Sequence, residues 1–330
     1  MMNVINTTNN DTVGNPTKHL PEAMFISAEV LTILFAIVGS TGNLLTVIAI
    51  VSSNLKTNLN SILIGNLSFA QVIYCVLILP LQALTYHYRD WILPSDLCVL
   101  HAAVRFWLIG VNMMLLSAIA LYRFLHIVHP TIYSKFSSRG PFLAVVIICW
   151  VFSLYFCITP IIGIWGSFSF QEAILQCTFT FSSNKSHKIT TVTLGFVIPC
   201  IFICFCYARI GCMAYFSRKR VTRTASQYRR QKAQKDSLRL TGMMLFIFCG
   251  FLLGTTPYFV SNILDPKVKY PLPHIWAPFM AWLLYCVNPV IYTVMDRNFQ
   301  NAYRRLLTGQ LCVKGDNSQS LNQETSYAHR

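Results

Sequence analysis

Two arginines in one apolar segment carry chemistry that packing alone does not explain. Arg105 and Arg123 are the only charged residues between positions 98 and 124, and with Asn112 and Ile119 they follow separations of 7, 7 and 4 residues. At about 3.6 residues per turn, all four share one face of a helix. At about 1.5 Å per residue, the two arginines lie roughly 27 Å apart, near opposite ends. A guanidinium presents paired donors that suit a carboxylate or a phosphate, so each arginine is a candidate anion-binding or partner-binding group.

Motifs that indicate an enzyme are absent from the sequence. It contains no HExxH, no GxSxG and no acidic cluster suited to a metal ion. Such patterns supply the metal ligands or the nucleophile of the common hydrolases. We therefore expect no enzymatic activity, no bound metal and no cofactor.

The composition indicates a membrane protein. AVILMFWYC residues make up 54% of the 330 residues, and charged residues only 11%, which is too apolar for an ordinary soluble chain. The net charge of +15 would suit a nucleic-acid binder. No hydrophilic stretch is long enough to form a domain for that purpose, so nucleic acid is not an expected partner.

Seven segments are long and apolar enough to cross a bilayer, which takes roughly 20 mostly apolar residues. These runs are continuous and do not alternate in the manner of barrel strands, which excludes a β-barrel. The sequence therefore predicts an all-α membrane protein, a seven-transmembrane helix bundle, with spans at approximately 26–52, 61–86, 98–124, 141–165, 190–216, 238–263 and 274–295.

The distribution of positive charge predicts the orientation of the bundle. Lys and Arg are sparse before span one and dense from Arg218 to Arg239, which places the amino terminus outside and the carboxyl terminus in the cytoplasm. The first 24 residues lack the order of a cleavable signal peptide. We predict a multi-pass plasma-membrane protein with an extracellular tail at 1–25 and a membrane domain at 26–295. Sequons in segments placed outside predict glycosylation of Asn6, Asn10 and Asn184.

Most of the twelve cysteines fall within the spans, where a thiol packs as a small apolar group. Cys98 and Cys177 are the two that fall at the outer face. Because that face meets an oxidising compartment, we predict a disulfide between the top of span three and the loop after span four. Two free thiols are the alternative.

Motifs on successive spans are shared with a known receptor family. TGNLL places Asn43 in span one, GNLSFAQ places Asn66 and Gln71 in span two, and ALYRFLHIVHP closes span three. The remaining elements are Trp150, Pro199, Tyr207, Pro257 and NPVIY from Asn288 to Tyr292. Over roughly residues 26 to 310 this set resembles the rhodopsin-like (class A) G-protein-coupled receptors. Within them, GNLSFAQVIYCVLILP, SNILDPKVKYP and CVNPVIYTVMDRNFQNAYRRLL are most similar to the medium-chain fatty acid, trapped-in-endoderm and moody receptors, neighbours of the melatonin receptors.

The resemblance implies a receptor that transmits an extracellular signal to heterotrimeric G proteins by helix rearrangement. Arrestin and receptor kinases are the further partners that it implies. The sequence leaves open whether a ligand is required or the receptor is active alone. The residues expected to serve coupling and activation are Arg123, Tyr122, Tyr207, Asn288, Pro289, Tyr292, Phe251 and Pro257.

Three positions depart from the family pattern. The residue before Arg123 is Tyr122 and not an acid, which leaves Asp236 as the nearby acidic substitute. The family's span-two aspartate is Gln71, and its neighbour in the family's sodium pocket is Asn112, so we expect weak or absent sodium binding. Thr255 replaces the usual aromatic of span six, which leaves three aromatics as candidates for repacking: Phe251, Tyr258 and Phe259.

The ligand is expected to be a small anionic or lipid-like molecule held in a cavity between spans three, five, six and seven. Arg105 would bind its acidic group, His101 would add a donor, and Tyr258, Phe259 and Trp282 would enclose its body. The competing interpretation is an internal ion pair of Arg105 with Glu29 or with Glu172. Each aromatic also has the alternative of being simply bundle core.

The chain beyond NPVIY has amphipathic spacing. Apolar residues recur with arginines between them, which predicts a short amphipathic helix on the cytoplasmic leaflet at 296–310, in contact with membrane lipids. Residues 311–330 are polar, which predicts a disordered cytoplasmic tail. Cys312 is a candidate for palmitoylation, with an unmodified thiol as the alternative.

Other seven-helix classes fit less well. An opsin needs a lysine in span seven, and none occurs between Lys269 and Lys314. An amine receptor would carry an aspartate where Arg105 stands, and a cationic ligand would be repelled there. A transporter or channel would favour internal repeats or intramembrane acids, of which Glu29 is the one candidate.

Overall fold

The computed structural model describes residues 20–180, 185–218, 225–265 and 267–308, without the side chains of 216–237. Seven of its helices are long and apolar enough to cross a membrane, which confirms the predicted bundle. The predicted glycosylation sites (Asn6, Asn10 and Asn184), the side chain of Asp236, Cys312 and the tail 311–330 lie outside the described residues.

The observed spans agree with the predicted ones to within a few residues, except that the helix of span six begins earlier along the chain. The first four are Glu22–Val51, Leu59–Tyr88, Ser95–Val128 and Arg139–Ile161. Span five has three consecutive pieces, Lys185–Val192, Thr193–Val197 and Ile198–Arg218. Spans six and seven are Ala225–Leu264 and Pro271–Met295.

Shorter elements connect the spans. A 3₁₀ turn, Asn54–Thr57, follows span one, and a helix in the loop after span three, the loop helix, covers Pro130–Phe136. The amphipathic helix Arg297–Leu307 follows span seven and buries Phe299, Ala302 and Tyr303. We call this end of the bundle the amphipathic-helix end.

Span three is the centre of the bundle. It packs against spans two, four, five and six, while span one closes the bundle by contacting spans two and seven. Its buried face carries the residues that the spacing predicts, with Arg105, Asn112, Ile119 and Arg123 each at most 5% exposed. The predicted inward face is therefore confirmed.

The contact between spans one and seven follows from the proline of NPVIY. Pro289 has no N–H to give to the carbonyl of Tyr285, four residues earlier. The Asn43 side-chain amide donates to that carbonyl at 2.7 Å instead. A Cβ on Gly42 would lie 3.0 Å from the Pro289 ring, so a larger residue there would require the ring to move slightly. The TGNLL motif thus contacts the NPVIY motif in two ways. Asn43 donates to the carbonyl that Pro289 leaves without a donor, and Gly42 leaves room for the Pro289 ring.

A β-hairpin covers the opposite end, which we call the hairpin end. Strands β1 (Phe168–Gln171) and β2 (Gln176–Phe179) are antiparallel, with Phe170 opposite Cys177. The Cys98–Cys177 disulfide is present, as predicted, and attaches β2 to the start of span three. The Gln82 side chain of span two donates to the carbonyl of Leu175 at 2.9 Å. The sequence analysis did not predict these strands.

The loop between spans six and seven is organised by one carboxylate. The backbone N–H groups of Tyr270 and Lys269 donate to Asp265 at 2.7 and 2.8 Å. These bonds, with a smaller contribution from nearby His274, lower the pKa of the Asp265 carboxyl. The loop therefore fixes the position of span seven relative to span six at the hairpin end of the bundle.

Candidate ligand and coupling sites

Arg105 is buried beneath the hairpin. Its Nη1 donates to Oε1 of Gln176 at 2.9 Å, and its guanidinium carbon lies 4.9 Å from the centre of the Phe106 ring. Gln176 is held there because the next residue, Cys177, is bonded to Cys98, which lies about two helical turns from Arg105 on span three. The disulfide therefore defines one wall of the arginine's surroundings.

Arg105 forms no ion pair with any acid among the residues that the structure describes. Glu29 instead lies 3.1 Å from His87, at the rim between spans one and two, so the predicted alternative pair with Glu29 is wrong. Glu172 is exposed in the hairpin turn, and none of the ion pairs found among the described residues joins it to Arg105. Among the described residues, the guanidinium contacts a neutral amide and an aromatic face.

Three buried nitrogens at this site have no hydrogen-bond partner among the described residues: Arg105 Nε, Gln176 Nε2 and His101 Nδ1. Nε2 of His101 lies 3.2 Å from the carbonyl oxygen of Ile78. Because a carbonyl only accepts, Nε2 carries the proton and Nδ1 of the neutral ring is an acceptor. This geometry argues against the donor role expected of His101. The free donors are those of Arg105 and Gln176, and an unpartnered buried donor costs about 1–3 kcal/mol.

The predicted aromatic wall divides into two groups. The Phe259 ring lies 4.3 Å from that of Phe196 of span five and 5.7 Å from that of Tyr258, on the side of spans five and six. Trp282 is 3% exposed and donates through Nε1 to the Tyr74 hydroxyl at 3.0 Å, on the side of span two. Tyr74 is also within electrostatic range of Arg105 and Tyr258.

Sequence reasoning missed two residues of this site, Gln176 and Tyr74. Gln176 is adjacent to the predicted disulfide cysteine, and this adjacency is the signal that would have found it. Tyr74 lies three residues after Gln71 on the same helix, so helical spacing from the family's span-two position would have placed it near the site.

Below the arginine, three amide side chains form a connected cluster. Gln71 Nε2 donates to Asn112 Oδ1 at 3.2 Å, and Asn288 Nδ2 donates to Gln71 Oε1 at 3.3 Å. Asn288 Oδ1 is buried without a partner among the described residues. The cluster adjoins a cavity of about 10 Å³, room for about one water, lined by Leu67, Gln71, Asn112, Leu116, Ile247, Phe251, Leu284, Tyr285 and Asn288. The neutral cluster is suited to a water molecule and offers a cation no charge.

At the amphipathic-helix end, Arg123 is 3% exposed, and its Nε and Nη2 have no hydrogen-bond partner among the described residues. Tyr207, Tyr133 and Asp296 are within electrostatic range, but none of the ion pairs formed by the described acids includes Arg123. Asp296, which caps the amphipathic helix by accepting from Asn298 N at 2.7 Å, was not anticipated. Among the described side chains, which do not include that of Asp236, no carboxylate pairs with this inward-held guanidinium.

Tyr122 does not take the place of the missing acid. Its hydroxyl donates to the carbonyl of Phe136 at 3.1 Å, and its ring packs edge-on against Tyr133 and Phe142. The side chain is therefore directed to the loop helix and away from the guanidinium. Tyr122 anchors the loop helix, none of whose own residues is buried.

The other residues predicted for activation lie in spans five, six and seven. Tyr292 is fully buried, with its hydroxyl unpartnered among the described residues and its ring 5.6 Å from that of Phe299. Tyr207 is buried beside Phe248. Phe251 lines the cavity, Pro257 interrupts span six, and Pro289 and Asn288 lie in span seven. The amphipathic helix is fastened by a 2.5 Å hydrogen bond between the hydroxyls of Tyr303 and Thr46.

Residues 42–292 match the family described as 7 transmembrane receptor (rhodopsin family). The match covers most of the chain, so this protein belongs to that family. Its seven spans make it a multi-pass membrane protein of that family.

Individual relatives agree with this assignment. The chain is 25% identical to the Drosophila melanogaster G-protein coupled receptor moody over 87% of its own length and 52% of that protein. It is 26% identical to Drosophila melanogaster protein trapped in endoderm-1, with coverage of 87% and 78%. It is 25% identical to mouse (Mus musculus) melatonin receptor type 1A, with coverage of 89% and 84%. The chain thus spans about half the length of moody.

A solved structure agrees in fold. Squid rhodopsin superposes with a TM-score of 0.78 at 22% identity, covering 92% of this chain and 91% of that one. The predicted resemblance to the moody, trapped-in-endoderm and melatonin receptors is therefore confirmed. The likeness to the medium-chain fatty acid receptor stays a prediction.

The amide cluster predicts that sodium does not stabilise this receptor. We expect the same apparent melting temperature for the purified protein in sodium chloride and in choline chloride at equal ionic strength. Gln71→Asp should introduce sodium dependence because it supplies a carboxylate ligand. The expected stabilisation is about 1.4 kcal/mol when sodium is at about ten times its Kd.

Gln71→Asn is the matched control, since it shortens the side chain without adding charge, and it should remain independent of sodium. A sodium-dependent shift in the unmodified receptor would show that the neutral amides bind the cation after all.

Proposed function

We propose that this protein is a G-protein-coupled receptor whose ligand carries an anionic group, a carboxylate or a phosphate, that binds Arg105. The observation that carries the proposal is a buried guanidinium with no acidic partner among the described residues. A charge at this depth costs several kcal/mol unless a counter-charge or a strong hydrogen-bond set compensates it. An anionic ligand would supply both, since Arg105 Nε and Gln176 Nε2 are donors still without acceptors.

The body of the ligand is expected to be apolar. Tyr258 and Phe259 lie with Phe196 on the side of spans five and six, where partly exposed aromatic rings can enclose a lipid-like chain. The Trp282 indole N–H donates to the Tyr74 hydroxyl, and its ring would border the ligand space from span seven. A carboxylate head with a hydrocarbon body fits both parts of the site.

The proposed orientation places the hairpin end outside the cell and the amphipathic-helix end in the cytoplasm. A disulfide at the hairpin end suits an oxidising exterior, and the basic residues near the other end suit the cytoplasmic leaflet. Arg123 would then face a heterotrimeric G protein, with arrestin and receptor kinases as further partners. Glycosylation of Asn6, Asn10 and Asn184 and palmitoylation of Cys312 are part of the same proposal.

A receptor active without ligand is the second candidate. The observation that favours it is the side chain of Tyr122, which bonds to the loop helix and leaves Arg123 without an adjacent carboxylate. Such a receptor would use the same coupling end, and a ligand at Arg105 would then adjust a signal already present.

The ligand proposal predicts a selective loss in Arg105→Gln. In cells tested for dissociation of every Gα class against a panel of lipids and carboxylic acids, an acidic agonist should bind the variant about 2–5 kcal/mol more weakly, as expected when one partner of a buried charged pair is removed. The methyl ester or amide of that agonist should lose far less, because it brings no charge to the site.

Arg89→Gln is the matched control. Arg89 makes an exposed pair with Glu22 at 2.9 Å, so the same chemical change at the rim should leave agonist potency nearly unchanged. Equal losses for acid and ester in Arg105→Gln, at normal surface expression, would make Arg105 a structural residue.

The second candidate predicts that Tyr122→Asp lowers ligand-free signalling at equal surface expression. An adjacent carboxylate would restrain Arg123, and a population shift of about 1.4 kcal/mol changes the active-to-inactive ratio roughly tenfold. The measurement is basal G-protein dissociation.

Tyr122→Phe separates the two effects of this substitution, because it removes the hydrogen bond to Phe136 and adds no charge. A drop confined to the aspartate variant supports the missing restraint. An equal drop in both variants would assign the effect to the anchoring of the loop helix.

A further inference from the structure

Span six carries no aromatic at the position where the family places one. The Thr255 hydroxyl donates to the carbonyl of Phe251 at 2.7 Å and lies 3.3 Å from that of Leu252. Both carbonyls belong to its own helix. The Thr255 hydroxyl is therefore hydrogen-bonded within span six and does not link this span to a neighbouring one.

Span seven has a buried indole that does make such a link. Trp282 is 3% exposed and Tyr74 is 2% exposed, and the indole N–H donates to the Tyr74 hydroxyl at 3.0 Å. A buried indole N–H requires an acceptor, and this one comes from another span. The bond therefore fastens spans two and seven together in the middle of the bundle.

Tyr74 stands at a break in helical regularity. The segment Tyr74–Ile78 is π-helical, and π-bulges occur mostly as single widened turns, frequently at functional sites. Tyr74 begins this turn, which also contains the Ile78 carbonyl bonded by His101. A change in the turn would move both contacts together.

The same pair lies between the two predicted sites. Tyr74 is within electrostatic range of Arg105 and packs edge-on against Tyr285, with ring centres 4.9 Å apart. Tyr285 lines the cavity beside Asn288, and its carbonyl is the one left free by Pro289 and bonded by Asn43. A set of contacts thus runs from Tyr74, which is within electrostatic range of Arg105, to NPVIY along span seven.

We infer that Trp282 and Tyr74 are positioning residues that couple the Arg105 site to the coupling end, in place of the absent span-six aromatic. The bond between them stabilises the resting arrangement, because in this structure Arg123 is buried at 3% exposure and unavailable to a partner. Loss of the bond shifts the population toward the arrangement that releases Arg123. This inference rests on the proposed coupling to G proteins but not on the nature of the ligand.

The test is the affinity of purified, ligand-free receptor in lipid nanodiscs for nucleotide-free Gα proteins of each class. Trp282→Phe and Tyr74→Phe should each raise the affinity about two- to tenfold, the range that one neutral hydrogen bond supplies. The double variant should exceed neither single variant, because both changes remove the same bond. Trp282→His retains a ring N–H and should raise the affinity less than Trp282→Phe does.

Trp107→Phe is the matched control. Its indole N–H donates to the Trp150 carbonyl at 3.0 Å, so it loses an equivalent bond between spans three and four. Its Gα affinity should not change. A merely structural role for Trp282 would lower the melting temperature and leave Gα affinity where it was.

Three results would overturn the inference: unchanged affinity in both single variants, additive effects in the double variant, or an equal rise in Trp107→Phe. Tyr74→Phe removes only one oxygen atom. If Trp282→Phe does not fold, the Gα affinity of Tyr74→Phe is sufficient to test the inference. If the unmodified receptor binds no Gα class, the proposed function fails together with this inference. Binding without any effect of the variants overturns the inference alone.

Discussion

The buried guanidinium of Arg105 carries a positive charge that no described acid neutralises. Arg105 is buried inside a helix bundle and is covered by a hairpin that a disulfide holds in place. Its contacts are the amide of Gln176 and the ring of Phe106, neither of which neutralises it. Desolvation of such a charge lowers the stability of the fold by several kcal/mol. A neutral residue at this position would not have that cost. The ligand proposal follows from this imbalance.

Elsewhere in the interior, neutral residues occupy positions at which the family usually has an acidic side chain. Gln71, Asn112 and Asn288 form a neutral amide cluster, and Arg123 lacks an adjacent acid. With no buried carboxylate at those positions, hydrogen bonds between neutral groups hold the spans together. The bond from Trp282 to Tyr74 and the bond from Asn43 to the Tyr285 carbonyl are two of them. Each supplies on the order of 1 kcal/mol, a size suited to an equilibrium that a ligand shifts.

Much of the fold could be predicted from the sequence, because hydropathy reports on the bilayer and helical spacing reports on the buried face. The spans and the inward face of span three follow from such local rules. The Cys98–Cys177 pair follows from these being the two cysteines placed at the oxidising outer face. The hairpin did not, since its strands are short and lie in a loop. The sequence analysis also missed the partner of Arg105, because Gln176 comes from a distant part of the chain and only its position beside the disulfide cysteine Cys177 signals the contact. The direction of Tyr122 depends on the loop helix, which sequence spacing did not reveal.

The most direct test of the central claim is the apparent melting temperature of ligand-free Arg105→Met, with Arg89→Met as the control at the exposed rim. Methionine keeps most of the buried alkyl volume and removes the charge. If Arg105 is uncompensated in the resting receptor, the substitution should raise the melting temperature, since replacing buried charge by an apolar side chain is often stabilising by about 1–4 kcal/mol. A fall that corresponds to about 3–5 kcal/mol, the cost of breaking a buried ion pair, would show that Arg105 has an internal acidic partner and contradict the account.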